Sequence, residues 1–68
     1  MSGGTYKFID LIGTSSKSIE DAISSAVTEA AKTVHQIRWF EVAETRGKVE
    51  KGAVVEYQVR LRLSFKID

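Results

Sequence analysis

The C-terminal stretch AVVEYQVRLRLSFKI, Ala53 to Ile67, alternates without a break. Val55, Tyr57, Val59, Leu61, Leu63, Phe65 and Ile67 share one face; Val54, Glu56, Gln58, Arg60, Arg62, Ser64 and Lys66 share the other. A β-strand places alternate residues on opposite faces, so this pattern predicts one long strand with an apolar side. Fifteen residues extend about 50 Å as a strand. An apolar face of that length has to be covered, and the rest of the chain is short.

The preceding segments supply one helix and two more strands. TYKFIDLIG mixes aromatic and β-branched residues and predicts a strand over 5–12, ended by Gly13. The hydroxyl-rich TSSKS follows. Ser18 with Asp21 three residues on resembles a capping box, and Ser15 is an alternative N-cap. Glu20 and Asp21 then fall in the first turn, where the helix dipole favours negative charge. Ile19, Ala22, Ile23, Ala26, Val27 and Ala30 form the stripe of an amphipathic helix over 18–33. The alanines let the helix lie close on a sheet. A second strand is expected over 35–46, and GKVEKG, bounded by Gly47 and Gly52, is a turn.

The order is therefore β-α-β-β, an α+β fold. The helix reverses the chain, so the first two strands run parallel, and the hairpin makes the third antiparallel to both. The simplest sheet has the third strand in the middle with the helix on its apolar face. A helix of 16 residues (18–33) spans about 24 Å, half the length of the strand. Part of the apolar face and two sheet edges are left for other subunits to cover.

Composition points the same way. A chain of 68 residues is a single domain, here taken as 1–68. At this size the cost of ordering the chain and the return from burial roughly cancel. With no cysteine there is no disulfide to help, and assembly is the remaining support. The absence of cysteine and of a recognisable leader in MSGGTYKFIDLIG suits the cytoplasm. No apolar run reaches the roughly 20 residues of a membrane span. A formal charge of +1 gives no electrostatic case for nucleic acid.

Catalysis finds little support. There is no Gly-rich phosphate loop, no cysteine nucleophile and no His or Cys cluster with metal-ligand spacing. His35 stands alone at the start of a strand. Glu41, Glu44, Glu50 and Glu56 fit a solvated charged face. IRWFEV, residues 37–42, raises a different question. If Phe40 and Val42 face the core, Trp39 faces away from it. An outward tryptophan is either an interface residue covered by another subunit or a stacking platform for a flat ring. Gln58, on the outward face of the third strand, carries an amide with donors and an acceptor for a ring edge. Arg46, before Gly47, is a candidate for a phosphate or a carbonyl.

Trp39-Phe40-Glu41-Val42, Arg46-Gly47, Gly52 and Gln58-Val59, with the opening LIGTSSKSIEDAI, together resemble the dodecin family of small flavin-binding proteins. The resemblance runs over about residues 5–66. It departs at Ser16, where relatives often have proline. It implies a three-stranded antiparallel sheet partly wrapped around one helix, and a homododecamer forming a hollow shell. It implies flavin bound in pairs across a two-fold axis, with Trp39 stacking, Gln58 at the ring edge and Arg46 as a further contact. FMN is the foremost candidate, riboflavin or FAD the alternatives, and coenzyme A a further ligand of some relatives. On this resemblance the chain is a flavin store rather than an enzyme. The alternative is a structural shell whose aromatic residues serve assembly alone.

Overall fold

The alternating C-terminal segment forms the central strand. The computed structural model describes residues 3–68, and the first two residues of the 1–68 domain lie outside the described residues. Strand β1 spans Tyr6–Ser15, helix α1 Ile19–Ala30, strand β2 Ile37–Glu50 and strand β3 Ala53–Lys66. The sheet order is β1-β3-β2, and β3 is antiparallel to both neighbours. This is the expected topology.

The core is narrow. Val59, Leu61 and Leu63 on β3 are fully buried against Ala22 and Ala26 of α1. Ile9, Leu11, Ile19, Ile23, Val27, Ala30 and Ile37 close around them. Only the middle of the long apolar face is covered; Val55 and Ile67, near its ends, remain exposed.

Close approach of helix and sheet depends on Gly13. A Cβ there would run into the Ala22 carbonyl oxygen and lie 2.9 Å from the Ala26 Cβ. Gly13 therefore does not end β1. It pairs with Val59, and the strand continues through Thr14 and Ser15.

Of the two serines, Ser18 caps the helix and the alternative, Ser15, does not; it supports the cap from the preceding turn. Ser18 is the N-cap in extended conformation, and its hydroxyl accepts from the Asp21 N–H at 2.9 Å. The reciprocal half of the capping box is replaced. Asp21 accepts from the Ser15 hydroxyl at 2.7 Å, and Ser15 Oγ accepts from the N–H groups of Lys17 and Ser18. The helix ends at Ala30, short of Thr33. Backbone bonds from Lys32 to Glu29 and from Thr33 to Ala30 tighten the last turn, and His35 lies in the link before β2.

The expected turn from Gly47 to Gly52 is much smaller. Lys51 and Gly52 alone make it, at φ 53° and 78°, between the paired Glu50 and Ala53. Positive φ at both central residues fits a type I′ turn, whose twist matches that of the strands. Gly47 pairs with Tyr57 inside the ladder. The hairpin thus extends past the end of β1, giving principal extents of 57 × 21 × 14 Å.

Phe40 and Val42 sit opposite Leu63 and Leu61, on the helix side of the sheet. However, α1 packs on β1 and β3. Phe40 is 47% and Val42 42% exposed, so neither is a core residue of the single chain. Among the described residues, no helix is long and apolar enough to cross a membrane.

Candidate functional site

The candidate residues lie on the sheet face turned away from α1. Directly opposed residues of antiparallel strands share a face. The registers place Trp39 beside Ser64, Glu41 beside Arg62, Glu44 beside Arg60 and Arg46 beside Gln58, with Phe8, Asp10, Ile12 and Thr14 of β1 across β3 from them.

Two irregularities in β2 create this arrangement. The register shifts between Ile37 and Trp39, and again between Val42 and Glu44. The first lets Ile37 pack on the core while Trp39, two residues later, faces the other way. The second returns Arg46 to the face of Trp39; strict alternation from residue 39 would put residue 46 on the helix side. An extra residue in a strand has this effect, and an alternation count cannot reveal it.

At one end of the face is an aromatic cluster. Trp39 is 47% exposed. Its ring lies 5.0 Å from that of Tyr6, centroid to centroid, inclined by 51°. Tyr6 and Trp39 come from the two outer strands, so they meet across β3. Ser64 occupies the central strand between Phe8 and Trp39, and it is 6% exposed. Sequence inspection named Trp39 but missed Tyr6 and Ser64. The signal available was a small residue in the centre of an otherwise bulky strand. Beside this cluster the Arg62 guanidinium lies 3.9 Å above the Phe8 ring and pairs with Asp10 at 2.9 and 3.3 Å. The bond from Arg62 holds the Asp10 carboxyl below its ordinary range, and the same bond raises Arg62.

At the other end is a polar relay. Arg46 Nε donates to Gln58 Oε1 at 2.6 Å, and Gln58 Nε2 donates to Glu56 Oε1 at 2.8 Å. Ile12, Glu44, Arg46, Gln58 and Arg60 line a small groove of about 140 Å³. A larger groove of about 410 Å³, lined by Asp10, Glu41, Val42, Ala43, Arg60 and Arg62, lies between this relay and the aromatic cluster.

Arg46 and Gln58 are therefore in contact, whereas Trp39 is remote from both. Trp39 is level with Ser64, six residues along β3 from Gln58, a separation of about 20 Å at the rise of a strand. One chain cannot place a ring on Trp39 and the edge of that same ring on Gln58. A single flat ring touching both residues has to lie between two subunits. Among the described residues, no group of three or more His, Cys, Asp or Glu is placed to hold a metal ion.

A family model described as Dodecin matches residues 5–68. The chain is 42% identical over 66 residues to a curated protein named Dodecin from Thermus thermophilus, covering 97% of this chain and 96% of that protein. The solved structure of dodecin from Streptomyces coelicolor matches with a TM-score of 0.93 at 40% identity, covering 100% of this chain and 97% of that one. A Mycobacterium tuberculosis protein described as a calcium-chelating antigen, calcium dodecin, matches with a TM-score of 0.81 at 40% identity, covering 94% and 91% of the two chains. The chain belongs to the dodecin family.

Proposed function

We propose that this dodecin stores flavin and quenches its photochemistry, with each ring stacked on a tryptophan where subunits meet. The observation that carries the reading is the half-exposed indole of Trp39 on the sheet face away from the helix. The Gln58 carboxamide lies on the same face, and the Arg46 guanidinium spends only one of its five N–H donors on it. These groups suit a flat ring with a polar edge and, in FMN, a phosphate. FMN is accordingly preferred to riboflavin, and FAD and coenzyme A are further candidate ligands. The separation of Trp39 from Gln58 supports a pocket assembled from at least two chains, with the two-fold pairing and twelve-subunit shell that the family resemblance implies.

Bound flavin supplies a light-excited electron acceptor. Trp39 would hold the ring, and its electron-rich indole would supply the electron donor that quenches the excited state. A ring packed between indoles would leave little room for a second substrate, which favours a store over an enzyme; a cytoplasmic location is part of the same proposal.

Titration of the purified protein with FMN and riboflavin, followed by fluorescence and paired with light scattering, tests this reading. Wild type is expected to quench flavin strongly and to slow its bleaching under blue light. Trp39→Ala should keep the assembly and lose about 1–3 kcal/mol of binding per stacked ring, by analogy with stacked nucleobases. Trp39→Phe should keep part of the affinity and quench less. If Trp39→Ala instead breaks the oligomer, and wild-type protein leaves flavin fully fluorescent, Trp39 serves assembly alone.

A further inference from the structure

Gln58 stands between a cation and an anion. Its Oε1 accepts from Arg46 Nε at 2.6 Å, and its Nε2 donates to Glu56 Oε1 at 2.8 Å. A carboxamide has two flips of nearly equal shape that exchange donor and acceptor. Here both neighbours impose the same one, because a guanidinium only donates and an ionised carboxylate only accepts. Reversing the amide would set NH₂ against Arg46 and oxygen against Glu56. Gln58 and Glu56 are half-buried, so water competes less with these bonds than at a fully exposed site.

The two bonds leave one lone pair on Oε1 and one N–H on Nε2. A ring edge with an N–H beside a carbonyl offers the complementary pair. An edge with acceptors alone would satisfy the N–H and leave the lone pair facing another lone pair. We propose that Glu56 is a positioning residue: together with Arg46 it fixes the Gln58 flip and so selects rings with an imide edge, such as isoalloxazine. The inference rests on the flavin reading. It adds that the acidic neighbour, which needs no contact with the ligand itself, makes the amide discriminate. Its carboxylate also polarises the amide, since bonds to charged groups are stronger and chains of bonds reinforce one another.

Two measurements test this. The chain contains two glutamines, Gln36 and Gln58, and no asparagine. An NMR amide spectrum of the unliganded protein therefore carries side-chain NH₂ signals from these two alone. The Gln58 proton bonded to Glu56 should lie downfield, move upfield in Glu56→Ala and return only part of the way in Glu56→Gln. A Gln58 pair unmoved by Glu56→Ala would overturn the proposal. The second measurement compares binding of FMN with FMN methylated at the imide nitrogen, which removes the donor. Wild type should prefer the unmethylated ring by about tenfold, the value of one hydrogen bond. Glu56→Ala should reduce that preference to about threefold, and Glu56→Gln, whose neutral amide can donate as well as accept, should recover only part of it. An unchanged preference in Glu56→Ala overturns the inference and leaves the flavin reading standing. Wild-type protein that binds neither compound overturns both.

Discussion

Gly13 and Asp10 lie three residues apart on β1, on opposite faces, and each carries a separate constraint. Gly13 is where strand and helix touch, because its missing Cβ leaves room for the Ala22 carbonyl and the Ala26 methyl. Gly13→Ala should force α1 off the sheet at a cost of about 1–3 kcal/mol, as expected for overpacking; a lower denaturation midpoint would register it. Asp10 faces the other way, under Arg62. The Arg62 hydrogen bond is the largest influence on its carboxyl and lowers its pKa. A carboxyl with a lower pKa folded than unfolded adds stability above its unfolded pKa and loses it as pH falls through the folded one. The effect thus belongs to acid, below about pH 4. Both groups are solvent-accessible, so the result to seek is a displaced titration rather than a large change in stability. The Asp10 carboxyl should titrate below the ordinary range by NMR and return to it in Arg62→Met. Among the candidate ligand residues, Trp39, Gln58 and Arg46 could be picked out by residue type in a strand context. That Arg46 and Gln58 touch and Trp39 stands far from both could not, because that depends on where β2 gains its extra residues.

The elements themselves were more legible than their ends. The helix stripe and the alternation of β3 follow from burial on one face, which leaves a periodic trace in sequence. The limits of β1 and β2 do not. Gly13 and Gly47 read as breakers in isolation, yet each pairs within the sheet, where the ladder bonds of its neighbours hold it. The turn contracts accordingly to Lys51 and Gly52. Gly52 takes its positive φ without penalty, whereas Lys51 at φ 53° works against its Cβ, at roughly 1–2 kcal/mol for an ordinary residue. Asparagine is a favoured residue at this position of a type I′ turn. Lys51→Asn is therefore expected to raise the unfolding free energy by up to about 1 kcal/mol. A loss of stability would mean that the lysine side chain makes a compensating contact in the assembled protein.

For the whole molecule, the fully buried apolar cluster is smaller than what is left outside. Among the described residues five apolar ones are buried, while ten large ones, including Trp39, Phe40, Val42, Val49 and Val54, are at least 39% exposed. The uncovered residues fall mainly in three places: the helix side of β2, which α1 does not reach, the hairpin arm beyond β1, and the face away from α1, which carries Tyr6, Phe8, Ile12 and Trp39. A two-stranded arm is marginal alone in water. Burying a side chain such as Val or Phe is worth about 1.5–3 kcal/mol, so contacts at these positions, repeated in every subunit, suit a chain whose own burial only offsets its ordering cost. The mismatch between a long strand and a short helix announced this in the sequence; which residues stay bare follows from the helix lying over β1 and β3. Val42 offers the sharpest test. It faces the helix side opposite Leu61, is 42% exposed, and belongs to none of the proposed ligand contacts. Val42→Asp should cost the isolated chain little, because water already reaches the site, but it would place a charge in any subunit contact there. Light scattering at micromolar concentration should show wild type as a large closed oligomer and Val42→Asp as smaller or unfolded species, with flavin binding lost alongside. An oligomer of unchanged mass and melting temperature in Val42→Asp would mean that this face stays open to solvent in the assembly.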